Sequence, residues 1–372
     1  MRRFHLLMLA TILALPLAVT APVFDAAGAR AQTVMEVEQA WRGWMGRNGR
    51  TTGGLAVLHQ GRVAHEAAMG RDGIGQPLPM ASLSKAVTGV CIASLIDGGQ
   101  LAFDTPLSQA LQRTIARVGA PADRRLLGVT VAQLLTHRAG FDRDRGGDPA
   151  TAPLGAYLAK ATATRTAFDE GVKWIFAREL PLQPGERYAY SNAAYLLLGA
   201  IIQETTGQDY EPYCKTAVLA PLGARGAALD PAWRILSSYG GWRMSLADYG
   251  RFYQAFAEGN PAIGPVARRW MMSPEGKLLG SGSGVHYGLG TFVRPTATGG
   301  GNFWHWGGWS FDLRPAFDGP IHVSYSTFAV RWGAIDANVV VHMEPTLLGE
   351  GGARNQLDGA LGAAAHKVAR WP

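Results

Sequence analysis

A serine and a lysine three residues apart, Ser82 and Lys85, lie in the stretch MASLSKAVTGV. Residues at this spacing share one face of a helix, so the hydroxyl and the amine would lie side by side. A serine hydroxyl is a weak nucleophile that needs an adjacent base, and a lysine pressed against an apolar helix loses its proton more easily because desolvation penalises the charged form. Backbone N–H groups at the helix start would stabilise an oxyanion. The pattern indicates nucleophilic catalysis.

The same spacing also has an ordinary explanation. It arises by chance in many proteins as a helix N-cap followed by a surface lysine. Here the stretch follows two short apolar runs at residues 54–70, which predict a β-hairpin. It leads into AVTGVCIASLIDGGQL, which is apolar nearly all round and therefore predicts a buried helix. A serine in this context can face a cleft on a rigid helix, which favours catalysis.

A longer stretch, MASLSKAVTGVCIASLIDGGQLAFDTPLSQAL, resembles the active-site helix of the serine β-lactamase and DD-peptidase superfamily. The resemblance is to the class C β-lactamase-related branch, which includes family VIII-type esterases. LLTHRAGF, GERYAYSNAAYLLLGAIIQETTG, and YGLGTFV leading to HWGG resemble further motifs of this family in the right order, over most of residues 50–310. The resemblance implies a β-lactamase/transpeptidase-like fold and no cofactor or metal.

The second of these motifs is Tyr190-Ser191-Asn192. A phenol titrates near pH 10, but a neighbouring ammonium such as Lys85 favours phenolate, which predicts that Tyr190 could act as general base. The amide of Asn192 could orient Lys85 or the carbonyl of a substrate. The alternative is a buried tyrosine in a turn.

The third motif is His305-Trp306-Gly307-Gly308. By resemblance, His305 takes the place of the family's KTG lysine, and the N–H groups of Gly308 and Ser82 form the oxyanion hole. Small residues here permit close approach of a substrate to a strand. Histidine is mostly neutral at neutral pH, and Trp306 replaces a small hydroxyl residue, so this motif favours esters or small amides over penicillins. The WGG motif of related esterases is an alternative alignment, and His305 could also be an ordinary strand histidine.

Two nearby patterns predict no chemistry of their own. His137, in LLTHRAG, is interpreted as a structural residue that fixes the loop after its helix. The acidic run at residues 142–148 resembles a calcium loop, but Gly146 and Pro153 occupy ligand positions, so no EF-hand is predicted.

The chemistry predicted from these residues is an acyl-enzyme formed on Ser82. An ester or small amide is the first substrate class, a D-amino-acid peptidase or peptidoglycan-directed amidase substrate the second, and a β-lactam the third. The rival is a non-catalytic penicillin-binding-type sensor, which would not need an activated serine. The sequence does not determine the oligomeric state.

Strand patterns at both ends of the chain must position these residues. An amphipathic helix at residues 34–47 precedes the hairpin, helical patterns fill residues 100–280, and strand patterns resume at Tyr287 before a final helix. This order predicts an α+β fold with an antiparallel sheet, flanked by N- and C-terminal helices and interrupted by a large helical insertion. We expect residues 32–74 and 283–372 to form the α/β domain together, and residues 75–282 to form the helical domain. The segment 309–345 is longer than the resemblance implies and forms either a cleft wall or a surface hairpin.

The first 31 residues predict a secretory signal peptide. Arg2 and Arg3 precede an apolar run over residues 6–19, and Ala29-Arg30-Ala31 resembles a cleavage site, so cleavage is expected before Gln32. The alternative is an uncleaved membrane anchor. A periplasmic or secreted protein without a membrane span is expected after cleavage.

Charge and cysteine content limit the remaining possibilities. The formal net charge is +7, but basic residues occur singly or in pairs, which argues against a nucleic-acid partner. Cys91 and Cys214 lie in apolar helical contexts. Two buried thiols are favoured, with a disulfide as the alternative that an exported protein would permit.

Overall fold

Strands from both ends of the chain meet in one antiparallel sheet. The computed structural model describes residues 33–151, 166–280, 282–297, 300–313 and 321–372. Its strands are β1 Thr52–His59, β2 Arg62–Met69, β3 Leu78–Pro79, β4 Ala228–Leu229, β5 Trp242–Met244, β6 His286–Gly288, β7 Thr291–Pro295, β8 Gly301–Leu313, β9 Ile321–Trp332 and β10 Ala337–Glu344. A 7-stranded sheet has the order β2-β1-β10-β9-β8-β7-β6, and a small sheet has the order β3-β5-β4. The predicted joining of the two termini is therefore present as the pairing of β1 with β10.

The sequence patterns account for the central strands. The run of valines at 339–341 in β10 is buried throughout, as expected of a strand covered on both faces. Val57 of β1 lies opposite Val339 in the antiparallel register. The predicted hairpin turns at Gln60 and Gly61, and both have the positive φ that a two-residue hairpin of this kind needs.

Helices cover both faces of the large sheet. They are α1 Met35–Arg47, α2 Ser84–Asp97, α3 Leu107–Ala110, α4 Gln112–Val118, α5 Val131–Leu135, α6 Thr166–Phe176, α7 Asn192–Thr206, α8 Tyr210–Cys214, α9 Ser237–Gly240, α10 Leu246–Tyr253, α11 Pro265–Met272 and α12 Gly351–Ala365. The terminal helices α1 and α12 pack together over one face, in an apolar cluster with Val57 and Val339. Helices between α2 and α11 pack with Leu58 and Val340, which point to the other face. The predicted fold class is confirmed.

Helix α2 lies in the middle of the helical layer. It is buried almost all round, as its composition predicts. Cys91 of α2 and Cys214 at the end of α8 form a disulfide, with their Cα atoms 5.7 Å apart. The expectation of two separate thiols is therefore wrong. The cause is tertiary packing of α2 against α8, which a separation of 123 residues conceals in the sequence.

Two predictions concern parts of the chain that the structure treats differently. The predicted signal peptide lies outside the described residues. Gln32–Pro372 form one compact unit, so the predicted boundaries between the α/β and helical domains, at 74/75 and 282/283, stay predictions. Within the described ranges, no helix combines the length and the apolar character that crossing a bilayer requires.

Candidate active site

Ser82 occupies a strained turn that leads directly into α2. The preceding residue, Ala81, has φ of 47°, a left-handed conformation that costs free energy in a non-glycine residue. Two neighbouring strands hold the turn. The N–H of Met80 donates to the carbonyl of Trp242 in β5 at 2.9 Å, and the hydroxyl of Thr327 in β9 donates to the carbonyl of Met80 at 3.0 Å. Ser82 stays partly exposed while its neighbours are buried, so a substrate can reach its hydroxyl.

Lys85 is fully buried beside Ser82. Its Nζ lies 3.1 Å from Ser82 Oγ, 2.7 Å from Asn192 Oδ1 and 2.9 Å from the carbonyl oxygen of Tyr239. A neutral amine has two N–H donors and one lone pair. Asn192 and Tyr239 accept from the two N–H groups, because carbonyl oxygens cannot donate. The lone pair is then free to accept a proton from Ser82.

The environment of Lys85 favours this neutral form. Burial lowers the pKa of Lys85 well below its usual range, and the nearby Arg143 guanidinium acts in the same direction, against the opposing carboxylate of Asp148. Asn192 was expected to orient either Lys85 or the carbonyl of a substrate, and in the structure its side chain contacts Lys85.

Tyr190 completes the group around the nucleophile. Its hydroxyl hydrogen-bonds to Ser82, and its ring centroid lies 4.9 Å from the Nζ of Lys85. Burial raises the pKa of Tyr190 above its usual value, an effect larger than the lowering by the hydrogen bond with Ser82 and by Arg143. Burial thus acts against the phenolate form of Tyr190 and favours the neutral amine of Lys85. Which of the two residues is the general base stays a prediction.

Asp148 is a residue of the site that none of the sequence motifs marks. Its Oδ2 accepts from the hydroxyl of Ser191 at 2.9 Å and from the N–H of Asn192 at 2.5 Å, and its Oδ1 accepts from the N–H of Ala150 at 3.0 Å. Burial raises the pKa of this carboxyl, although these hydrogen bonds and Lys85 favour its charged form. Asp148 thus fixes the start of α7, which carries Asn192.

No local pattern could have revealed this role. In the sequence, Asp148 is only the end of an acidic run that fails as a calcium loop. In the structure Asp142, at the other end of that run, pairs instead with Arg187 at 2.6 Å.

One group in the described ranges has the composition of a metal site. Ligand atoms of Asp72, His342 and Glu344 lie within 4.8 Å of one another. Each already has a partner, since His342 Nδ1 is 2.9 Å from Asp72 and Arg71 pairs with Glu344. Chemistry at Ser82 does not need this group, and the absence of a metal or cofactor stays a prediction.

The third motif lies in β8, where alternate residues point to opposite faces of the sheet. Gly307 points toward the nucleophile. A Cβ at Gly307 would lie 2.4 Å from Thr327 Oγ1, 2.8 Å from the Met80 carbonyl oxygen and 3.0 Å from the Ser82 nitrogen. Glycine is therefore needed for β8 to approach the Ser82 turn this closely.

His305 points to the same face as Gly307 and is buried. Its Nε2 lies 2.9 Å from the hydroxyl of Tyr287, and its ring stacks on Phe292 with centroids 5.5 Å apart. Burial lowers the pKa of His305 to about 3. The side chain that replaces the family's lysine thus has no charge at neutral pH.

The side chain of Trp306 is not brought together with Ser82. It stacks on Phe328 at 4.2 Å between centroids, with the guanidinium of Arg354 at 5.3 Å, on the face covered by the terminal helices. The alternation of β8 causes this placement, so the indole lies on the opposite face of the sheet from Gly307. A Cβ on Gly308 would point to Ser326 and Tyr325. The role of the Gly308 N–H in an oxyanion hole stays a prediction.

His137 has the structural position expected of it. Its Nδ1 accepts from the N–H of Ser191 at 3.1 Å, and its carbonyl accepts from the N–H of Ala189 at 2.8 Å. The ring packs 4.4 Å from that of Tyr190. Burial lowers the pKa of His137 well below its usual range, so it is a neutral support for the second motif.

Comparison with known proteins gives a consistent result. Residues 37–314 match the family model described as Beta-lactamase. The putative fimbrial assembly protein FimD, serogroup D, of Dichelobacter nodosus is 26% identical over 166 residues, which cover 42% of this chain and 38% of that protein. The D-alanyl-D-alanine-carboxypeptidase/endopeptidase AmpH of Escherichia coli K12 is 25% identical over 156 residues, covering 41% and 37% respectively. The matched regions therefore span well under half of these relatives.

Solved structures match over nearly the whole fold. The D-stereospecific amidohydrolase from Streptomyces sp. superposes with a TM-score of 0.66 at 19% identity, covering 88% of this chain and 97% of that one. EstCE1, described as a hydrolase with promiscuous acyltransferase activity, gives a TM-score of 0.65 at 16% identity and covers 88% and 98%. These likenesses confirm the fold that the sequence motifs predict.

Proposed function

The chain belongs to the β-lactamase family, as its motifs predict, and from this premise we propose that it is an exported serine hydrolase that cleaves an ester or small amide through an acyl-enzyme on Ser82. The observation that carries the proposal is the buried Lys85, whose amine lies 3.1 Å from Ser82 Oγ with its other contacts satisfied by carbonyl acceptors. A pure binding protein has no use for an activated nucleophile.

The geometry supports a two-step mechanism. The amine of Lys85 takes the proton of Ser82 while Oγ attacks the carbonyl carbon of the substrate. The N–H groups of Ser82 and Gly308 stabilise the oxyanion. The neutral phenol of Tyr190 passes its proton to the leaving group and regains one from the Lys85 ammonium, which returns Lys85 to its neutral form. Water then loses a proton to the same amine and attacks the acyl carbon. As the bond from that carbon to Oγ breaks, the Lys85 ammonium gives the proton to Oγ, and the carboxylic acid leaves free Ser82 behind.

The preference for an ester or small amide over a penicillin is inferred from His305. A neutral, buried imidazole offers no permanent charge for the carboxylate of a penicillin. The likeness to EstCE1, a hydrolase with promiscuous acyltransferase activity, supports acyl transfer as the chemistry, and the likeness to the Streptomyces amidohydrolase supports an amide among the substrates. A D-amino-acid peptidase is the second candidate, supported by the relative described as a D-alanyl-D-alanine-carboxypeptidase/endopeptidase.

Two observations of different kinds support the proposed export. Residues 1–31 have the pattern of a secretory signal. The disulfide between Cys91 and Cys214 also fits an oxidising compartment, because disulfides persist mainly outside the cytosol.

The proposal is tested by replacing the nucleophile. Ser82→Ala should reduce hydrolysis of p-nitrophenyl butyrate by at least about 10³-fold with an unchanged thermal unfolding midpoint. Ser94→Ala on the same helix is the matched control and should retain activity. A chromogenic cephalosporin measured in parallel should be hydrolysed far more slowly than the ester. Hydrolysis retained by Ser82→Ala would refute the proposal, and a preference for the cephalosporin would refute the substrate class.

A further inference from the structure

The side chain of Tyr239 links the two groups that hold the amine of Lys85. Tyr239 lies in α9 and is fully buried, and its carbonyl is one of the two acceptors of the amine, at 2.9 Å. The other acceptor is Asn192 Oδ1 in α7, at 2.7 Å. Because the two acceptors belong to different helices, their relative position sets the direction in which the lone pair of the amine points. A contact that joins these helices therefore affects the activation of Ser82.

The hydroxyl of Tyr239 makes this contact. It donates to the carbonyl of Ala150 at 3.1 Å. The N–H of Ala150 donates to Asp148 Oδ1 at 3.0 Å, and Asp148 Oδ2 accepts from the N–H of Asn192 at 2.5 Å. Ala150 and Asp148 are both buried. One side chain thus connects α9, through a buried loop, to the start of α7.

Tyr239 keeps its proton and remains a hydrogen-bond donor. Burial raises the pKa of Tyr239 well above its usual value, and the negative charge of Asp148 acts in the same direction. The carbonyl of Ala150 cannot donate, so the hydroxyl of Tyr239 is the donor of this bond. Loss of the hydroxyl would take a donor away from a buried carbonyl, which is unfavourable where water does not replace it.

The other side of α9 is held by α2, the helix that carries Lys85. The hydroxyl of Thr88 in α2 donates to the carbonyl of Ser238 at 2.5 Å, and Thr88 Oγ1 lies 2.7 Å from the hydroxyl of Tyr210. Because Thr88 gives its hydroxyl proton to Ser238, Tyr210 is the donor to Thr88. The backbone next to Tyr239 is thus attached to α2, and the hydroxyl of Tyr239 relates this position to α7.

We propose that Tyr239 is a positioning residue of the enzyme, whose hydroxyl holds the two acceptors of Lys85 in the relative position that directs the lone pair of the amine at Ser82. The inference rests on the function proposed above. The hydroxyl is bonded to Ala150 and the residue is buried. We therefore expect an effect on the rate of acylation and not on the binding of substrate.

The test uses Tyr239→Phe, which removes the hydroxyl but keeps the ring and the backbone carbonyl. The rate of acylation is measured from the release of p-nitrophenol from p-nitrophenyl butyrate in stopped flow. The limiting acylation rate should fall by about tenfold, while the substrate concentration that gives half of this rate should change by less than about twofold.

Tyr195→Phe is the matched control. Tyr195 is also fully buried, and its ring centroid lies 5.8 Å from the Nζ of Lys85, against 5.6 Å for Tyr239. Its hydroxyl donates to the carbonyl of Leu135 in α5 at 3.0 Å. The control therefore loses an equivalent buried hydrogen bond outside the Asp148 loop. It should lower the unfolding midpoint to a similar extent but leave the acylation rate within about twofold.

A double-mutant cycle tests whether Tyr239 acts through the Asp148 loop. Tyr239→Phe and Asp148→Asn weaken the same connection. On the plateau of the pH profile, the variant with both changes should therefore lose less acylation rate than the product of the two single losses. When Tyr195→Phe replaces Tyr239→Phe in the cycle, the losses should multiply.

Three results would overturn the inference: an unchanged acylation rate in Tyr239→Phe, an equal loss of rate in Tyr195→Phe, or losses that multiply for Tyr239→Phe and Asp148→Asn. If turnover is lost in Ser82→Ala and any of these results is obtained, only this inference fails. If turnover does not require Ser82, the proposed function fails with it.

Discussion

At the scale of single residues, the reactivity of Ser82 depends on the protonation of Lys85. The sequence correctly placed Ser82 and Lys85 together, because one helical turn separates them. It could not establish which of Lys85 and Tyr190 is the base, since that choice depends on burial. Burial disfavours the charged form of each, so it lowers the pKa of Lys85 and raises that of Tyr190.

The pH dependence of the reaction tests this assignment. The neutral amine of Lys85 is the active form, and a lowered pKa makes that form available at lower pH. We expect kcat/KM to rise with pH through one ionisation and to reach its plateau well below the range of an exposed lysine, about 10.4.

The variant Tyr190→Phe separates the two candidate bases when kcat/KM is measured as a function of pH. It should reduce kcat/KM by roughly 10²-fold to 10⁴-fold but leave the position of the rise unchanged. Disappearance of the rise in this variant would show that the tyrosine, and not the lysine, is the titrating base.

At the scale of elements, long-range placement is what the sequence could not supply. Helix α2 and the first hairpin were predicted from apolar patterning alone. The sequence did not show that Trp306 would point away from the cleft, because the face on which a strand residue lies depends on the register of the whole sheet. Nor did it show that Asp148 would support α7 from a separate loop.

Asp148→Asn tests this support. The charge of Asp148 raises the pKa of Lys85, so its removal should move the rise of kcat/KM to lower pH. Loss of the acceptor at the start of α7 should also lower the free energy of unfolding by about 1 to 2 kcal/mol. Both effects are measurable, from a pH profile and from urea unfolding.

Asp142→Asn is the control from the same loop. It loses the ion pair with Arg187 and should therefore change stability without moving the pH profile. A profile that is unchanged in Asp148→Asn would mean that this carboxyl is already uncharged at the working pH.

At the scale of the whole molecule, the fold joins a sheet from the two termini to a helical layer that carries the nucleophile. The order of strand and helix patterns was sufficient to predict this architecture. The disulfide was only the less favoured of two predictions, because the packing of α2 against α8 has no signature in either segment.

The disulfide should contribute to global stability because it links residues 123 positions apart. Replacing both cysteines by alanine should lower the free energy of unfolding by about 2 to 5 kcal/mol, and reductant should have the same effect on the unmodified protein. Urea unfolding with and without reductant measures this. Identical curves would show that the two thiols are not bonded in the protein.

Mass spectrometry of a trapped acyl-enzyme shows whether Lys85 activates Ser82. The protein is mixed with a p-nitrophenyl ester, quenched in acid and digested. We predict one acyl group on the peptide containing Ser82, and none on that peptide in Ser82→Ala or Lys85→Met. Acylation of Ser82 at an unchanged rate in Lys85→Met, or ester turnover by Ser82→Ala, would contradict the account.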